Sequence, residues 1–184
     1  MRAVDLLVIH CSATKSGARL PGLAEVAIDK WHRERGFNRG VMAAKFNPQL
    51  PAIGYHFVID LDGRIANGRS AVEIGAHVAD FNARSIGICM VGGVETVAQF
   101  TLQQWQSLAA LVPRICSALA IPIQAVTPGK PVGICGHRDL SPDTNRNGKV
   151  ESREWLKTCP GFDVSAWLAA GMTPPAAQIF PRSA

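Results

Sequence analysis

The sequence predicts an α/β fold, a single domain in which a central mixed β-sheet is flanked by helices. Three observations predict it. Residues 4–9 and 85–91 are short apolar runs rich in Val and Ile, with the length and composition of buried strands. Residues 55–60 alternate in polarity, as a strand does when one face meets a core. Residues 22–37 and 101–119 carry apolar side chains at helical spacing. The chain has 184 residues, 47% hydrophobic and 18% charged. That suits one core, since single domains commonly form over roughly 100–200 residues.

Taken in order, the strand at 4–9 leaves His10 at its end. In the helix that follows, Leu23, Ala27 and Trp31 recur at four-residue steps as the buried side, and Gly36 closes it. His32, among Arg33, Glu34 and Arg35, reads as solvent-facing. The loop through Asn47, Pro48 and Pro51 is long enough to border a binding groove. Tyr55, Phe57 and Ile59 share one strand face, which puts His56 on the other in a packing role. Asp62-Gly63 supplies a tight hairpin, and residues 64–66 return.

The strand at 85–91 ends at Gly92-Gly93. Thr101 and Gln104 form a capping box ahead of Leu102, Trp105, Leu108, Val112, Ile115 and Leu119, with Pro113 expected to kink the helix or mark an irregular turn. Residues 123–126 and 132–135 are candidate short strands, the second delivering Gly136-His137-Arg138-Asp139 to a loop. Asp163 caps a last helix that buries Val164, Trp167 and Leu168. The domain is read as residues 1–172. Residues 173–184, with Pro174, Pro175 and Pro181, form a tail with little to bury.

The net charge of +5 and pI near 9.2 favour attraction to anionic polymers, cell-wall material included. The cations are scattered and lack an interleaved aromatic ladder, so a nucleic-acid role is not expected. The five cysteines are odd in number and irregular in spacing, which argues for reduced thiols rather than a disulfide framework. The apolar run at residues 6–9 is too short for a signal peptide and far below a membrane span of roughly 20 residues. The expectation is a protein made in the cytoplasm.

His10, His137 and Cys159 each follow a strand or sit in a turn, and together they offer two imidazoles and a thiolate. Zinc suits that set: a catalytic zinc keeps three protein ligands and leaves a fourth, tetrahedral position open. Spacing alone does not decide it. The surrounding motifs do: His10 lies in VIHCSAT, Tyr55 in GYHFVI, His77 in GAHVADFN, Ser85 in SIGICMVGG, His137 in GHRD and Cys159 in KTCPGFD. In this order they resemble the N-acetylmuramoyl-L-alanine amidases of the phage-lysozyme type (type 2) and the related peptidoglycan recognition proteins. The resemblance runs from about Val4 to Leu168, and six ordered motifs are far more specific than one.

The resemblance implies a zinc site at one edge of a substrate groove, with His10, His137 and Cys159 as ligands and Tyr55 and Lys157 as catalytic side chains. It further implies hydrolysis of the amide between N-acetylmuramic acid and L-alanine of peptidoglycan stem peptides, in a phage or prophage endolysin. Lys157 can stabilise the charge that develops on the carbonyl oxygen, and Tyr55 can hydrogen-bond the attacking water or that oxygen. Which of the two acts as base stays open. His77 is a candidate substrate contact, with Asn82 supporting its loop; a structural role for His77 is the alternative.

Residues 143–154, DTNRNGKVESRE, match the spacing of an EF-hand calcium loop. Asp143, Asn145 and Asn147 stand at the first, third and fifth positions, Gly148 at the sharp turn, Lys149 offers its carbonyl and Glu154 the last carboxylate. Two Asn in place of acids, with Arg146 and Lys149 nearby, argue for weak affinity. A polar turn feeding a short helix at 152–156 is the competing reading. The expected cofactors are therefore zinc and, in second place, calcium. The expected partner is peptidoglycan, met by a monomer that a holin-like, membrane-permeabilising protein releases to the wall. A muropeptide-recycling amidase, in which Asp typically replaces the thiolate, a bacterial autolysin and a recognition module without catalysis are the rivals.

Overall fold

A computed structural model describes residues 2–181. Five strands form one sheet: β1 (Leu6–Cys11), β2 (Phe57–Ile59), β3 (Ile65–Asn67), β4 (Ser85–Met90) and β5 (Gly133–Gly136), in the order β3-β2-β4-β1-β5. β1 pairs in parallel with β4 and β5, β2 pairs in parallel with β4, and the β2–β3 hairpin is antiparallel. The sheet is mixed, as the sequence predicts. Four α-helices accompany it: α1 (Ala24–Glu34), α2 (Val41–Lys45), α3 (Leu102–Leu119) and α4 (Val164–Ala169).

Side chains of a strand alternate between its two faces, and β1 shows what that does here. Leu7 and Ile9 join the larger core, formed with Ile86, Ile88, Trp105, Leu108, Val112, Val164 and Trp167 under α3 and α4. Leu6 and Val8 face the other way, against Val78 and Cys135. On that side α1 also lies, with Ala24 and Ile28 against Ile53, Val58 and Cys89. His10 continues the series 6, 8, 10 and emerges on the face of α1 and the 76–82 segment.

α3 starts at the predicted capping box: Thr101 Oγ1 accepts from Gln104 N at 3.1 Å, and Gln104 Oε1 accepts from Thr101 N at 2.9 Å. The helix runs on through Pro113 as one element, without an irregular turn there. Pro inside a helix costs about 3 kcal/mol. Burying Val112 and Ile115 on the core face contributes about 1.5–3 kcal/mol each, which offsets it.

Several expectations need correction. Of the predicted stripe Ala27 is buried and Trp31 half-buried against the core, but Leu23 is exposed, and Ala24, Ile28 and His32 are buried instead, so the inward face of α1 is wider than predicted and shifted off Leu23. His32 is therefore not solvent-facing: it is 5% exposed, and its Nδ1 accepts from Gly54 N at 2.9 Å. Residues 123–126 are not a strand. After Pro122 only Ala125 makes a single bridge, to Ile134, and Ile123 is exposed. The proline-containing tail buries little, as expected, but it is tied to the core by hydrogen bonds. Phe100 N donates to Gln178 O at 3.0 Å, Phe180 N to Phe100 O at 2.8 Å, and Trp105 Nε1 to Gln178 O at 3.1 Å. The ring of Phe180 covers Gly17, where a Cβ would lie 2.2 Å from it. Residues 182–184 of that tail lie outside the described residues.

The long connection from α1 to β2 is held by buried charge as well as by the buried apolar side chains of Leu50 and Ile53. Arg39 forms two 2.8 Å bonds to the Glu73 carboxylate and caps the carbonyls of Phe46, Asn47 and Leu50. Breaking a buried pair of this kind by removing one partner typically costs about 3–5 kcal/mol. Arg69 similarly gathers the carbonyls of Asn38, Ile53 and Ile74. The loop around Asn47, Pro48 and Pro51 is thus fixed away from the cleft described next, instead of bordering it.

Candidate metal centre

His10 ends β1, and β5 beside it runs straight into His137, so parallel pairing of the two strands brings both imidazoles to one sheet edge. Their ring centroids are 4.9 Å apart. Cys159 comes from the segment before α4, which is laced to both strand ends. Arg138 N donates to Cys159 O at 2.9 Å, and Cys11 N donates to Cys159 Sγ at 3.2 Å. Gly136 permits this approach, because a Cβ there would stand 2.4 Å from Pro160 Cδ. Beneath the segment the Arg138 guanidinium lies 4.2 Å from the Trp155 ring centroid.

The result is one cluster: ligand atoms of His10, His137 and Cys159 all lie within 4.8 Å of one another. Two nitrogens and a thiol sulfur at that separation can converge on a single ion at ordinary bond lengths of about 2.0–2.3 Å. Electrostatics agree with the donor set. Burial, then the neighbouring His77 and His137, hold His10 well below the usual imidazole range. Burial and the Lys157 ammonium lower His137. Both are therefore held as the neutral bases that a metal requires. The Cys11 thiol and burial push the Cys159 thiol up, a bias that a bound cation reverses by stabilising the thiolate.

The ring orientation of His10 is set by His77. His10 Nε2 is 3.0 Å from His77 Nδ1, and His10 Nδ1 looks toward Cys159 Sγ at 3.7 Å. With Nε2–H donating to His77, the Nδ1 lone pair is left for a metal. His77 in turn reaches Ser85 Oγ at 3.4 Å, and its ring sits in a slot cut by two glycines: a Cβ on Gly87 would lie 2.7 Å from it and one on Gly75 2.5 Å. Asn82 holds the backbone on either side, its Oδ1 accepting from His77 N at 2.8 Å and Val78 N at 3.0 Å.

These residues open on a cleft of about 530 Å³ lined in part by Tyr55, His77, Asn82 and Lys157. The Tyr55 ring is 5.2 Å from His10 and 5.3 Å from His32. Burial, with the Cys89, Cys159 and Cys11 thiols nearby, raises its phenol well above the usual range, so it remains a proton donor. His56 is buried in the packing role expected: its Nδ1 accepts from Gly87 N at 3.0 Å and its Nε2 faces Glu73 O at 3.0 Å. Sequence reasoning missed His32, Arg35 and Phe37 as cleft residues. The signal for His32 was its four-residue step from Ile28, masked by the charges around it.

Residues 143–154 lie apart from this cluster, in a loop closed by its own hydrogen bonds. Gly148 turns with φ +81, Asp143 accepts from Asn147 N and Gly148 N, and the Asn145 and Asn147 carbonyls accept from Asn147 N and Lys149 N. Glu154 spends both oxygens inside the loop, on Thr144 N, Thr144 Oγ1 and Asn145 N and on Glu151 N. Bonds from Glu151 N and the Thr144 hydroxyl lead in holding its carboxyl down to about 2.

The family model described as N-acetylmuramoyl-L-alanine amidase matches residues 1–162. The chain belongs to this family. An endolysin of Escherichia phage T7 is 31% identical over 169 residues, covering 90% of this chain and 85% of the relative. Among solved structures, the N-acetylmuramoyl-L-alanine amidase LysC from Clostridium intestinale URNW superposes with a TM-score of 0.62 at 24% identity, over 92% of this chain and 85% of LysC. Drosophila PGRP-LB gives 0.55 at 22%, over 92% and 82%. These two likenesses show the fold, which is the one the ordered motifs led us to expect.

The His10–His77 bond carries a prediction for the amidase fold. His77→Ala should weaken zinc binding about 10- to 100-fold, the usual effect of losing a partner behind a ligand, as measured by competition with a chromophoric chelator. Unchanged affinity would show that His77 does not orient His10.

Proposed function

We propose that this amidase is a zinc enzyme that hydrolyses the bond between N-acetylmuramic acid and the first L-alanine of peptidoglycan stem peptides, as a phage or prophage endolysin. The observation that carries the proposal is the convergence of His10, His137 and Cys159 beside Tyr55 and Lys157 in one cleft. Zinc, when bound, supplies a Lewis acid that polarises an amide carbonyl and lowers the pKa of water. The remaining steps belong to side chains. Tyr55, protonated at neutral pH, donates to the oxygen on which negative charge develops. Lys157, exposed at the cleft and close enough to His137 to lower its pKa, places a second positive group there. The proton that the leaving alanine nitrogen takes up passes through this pair.

Retention of the complete set in one chain favours catalysis over a module that only binds. Cys159 in place of Asp favours the endolysin over the recycling reading. For that role the enzyme reaches the wall after release from the cytoplasm by a holin-like partner. No helix among the described residues is long and apolar enough to cross a membrane.

Digestion of purified peptidoglycan tests the reaction. The zinc-loaded protein should release stem peptides beginning with alanine, identified by mass spectrometry, and chelation should abolish release. Tyr55→Phe and Lys157→Ala should each lose about 100-fold or more in rate while retaining zinc, in line with loss of an acid–base or oxyanion donor. New reducing sugar ends instead would make the protein a glycosidase.

Calcium at Asp143, Asn145, Asn147, Lys149 and Glu154 remains part of the proposal, as a weak site that stiffens the segment presenting Lys157 and Cys159. The ion would have to displace backbone N–H groups from Glu154, and two Asn lower the ligand charge. Calorimetry should therefore give a Kd of about 10⁻⁴–10⁻³ M. No calcium heat, with melting unchanged by calcium, would remove the site.

A further inference from the structure

Lys157 reaches the cleft from an exposed stretch, residues 156–158, that belongs to no helix or strand. Among the described residues no hydrogen bond or ion pair holds its ammonium, so the side chain stands where the backbone before it is held. That backbone is gripped twice from the short helical turn His137–Leu140. Ser141, the C-cap of the turn, is buried, and its Oγ accepts from Leu156 N at 3.0 Å. Ser141 N in turn donates to Arg138 O at 3.1 Å, which fixes the hydroxyl to the turn. The Leu156–Ser141 bond pinches off the loop of residues 142–155 before Lys157 begins. One residue earlier, the Arg138 guanidinium lies over the Trp155 ring, 4.2 Å from its centroid, with Asp139 at 3.5 Å and Asp163 at 3.8 Å.

The second grip is a poor device for stability. Only 11% of the Arg138 side chain is exposed, yet its Nε and Trp155 Nε1 are buried without a hydrogen-bond partner. Burying a charge on those terms costs stability, and an apolar side chain of similar length would pack there at less cost. What the guanidinium adds is orientation: a flat group over the indole, drawn by its charge toward two carboxylates. Cys159 does not need it, because the backbone N–H groups of Cys11 and Arg138 already fasten that residue. We propose that Arg138 and Ser141 are positioning residues for Lys157. Their side chains hold Trp155 and Leu156 so that the ammonium two residues and one residue further on stands in the cleft near His137. This rests on the role given to Lys157 above, and goes beyond it by naming what places that group.

The test compares zinc-loaded wild type with Arg138→Met, Ser141→Ala, Lys157→Ala and the two pairs that include Lys157→Ala, on soluble peptidoglycan fragments. Zinc affinity is measured by competition with a chromophoric chelator, and backbone order parameters by NMR relaxation. Arg138→Met should lower kcat about 10-fold and Ser141→Ala about 3- to 10-fold, the share of correctly placed Lys157 lost with a desolvated cation–π contact or with one hydrogen bond. KM and zinc affinity should stay unchanged, and the melting temperature of Arg138→Met should not fall. Beside Lys157→Ala, neither change should lower kcat further, since the group being placed is gone. Order parameters at Leu156 and Lys157 should drop in both variants from a rigid value of about 0.85 to below about 0.6. Unchanged kcat in both variants, a loss that persists in full beside Lys157→Ala, or a loss traced to weaker zinc binding overturns the role. Should Lys157→Ala itself cleave at the wild-type rate, the reading of Lys157 fails. The order parameters then decide the placement by themselves: a drop at Leu156 and Lys157 supports it, and unchanged values overturn it.

Discussion

Parallel pairing of β1 with β4 on one side and β5 on the other is the constraint on which the site depends. A parallel ladder sets its register over the whole length of the strands, and here Leu6 opposes Gly133 while Ile9 opposes Gly136. The next residues along both chains are His10 and His137. Because side chains alternate, the phase that buries Leu7 and Ile9 under α3 also sends His10 to the opposite face, where the cleft lies. A slip of one residue would exchange those faces. The fully buried Leu6–Ile9 run therefore fixes the position of His10, a candidate metal ligand, as well as the core.

The third candidate ligand needs a different device, since no strand carries Cys159. The segment before α4 is fastened by the backbone N–H groups of Cys11 and Arg138, which donate to Cys159 Sγ and Cys159 O, and Gly136 leaves room for Pro160 to close on the sheet. Around the ligands, glycines and buried polar bonds replace bulk. Gly75 and Gly87 make the slot in which His77 stands, and His77 turns His10 so that one ring nitrogen is bound and the other is free. Cleft and core are built by the same residues, which is why substitutions behind the ligands are expected to read out as lost metal affinity and not only as lost stability.

Much of this was legible in the sequence. Continuous apolar strands, the capping box at Thr101, the Asp62-Gly63 hairpin and the Asp163 cap are local signals, and the structure has each of them. The three candidate ligands were legible because their motifs come in a fixed order. What failed was phase and long-range docking. The inward face of α1 keeps the expected Ala27 and Trp31 but leaves Leu23 out, because Ala24, Asp29 and His32 pack inward as well, and no apolar periodicity shows polar residues doing so. The tail binds through its Gln178 carbonyl and the Phe180 ring, contacts that depend on Phe100 and Gly17 far away in the chain. Arg35 looked like one more scattered cation; only the fold shows that it lines the cleft.

The central claim is that His10, His137 and Cys159 hold one zinc ion with a position left open. X-ray absorption at the zinc edge of the stoichiometrically loaded protein measures this directly. The account predicts one sulfur scatterer at about 2.3 Å and two imidazole nitrogens at about 2.0–2.1 Å, completed by a light atom from solvent. In Cys159→Ser the sulfur shell should vanish. A shell of oxygen and nitrogen without sulfur in the unsubstituted protein, or a second sulfur from another thiol, would contradict it.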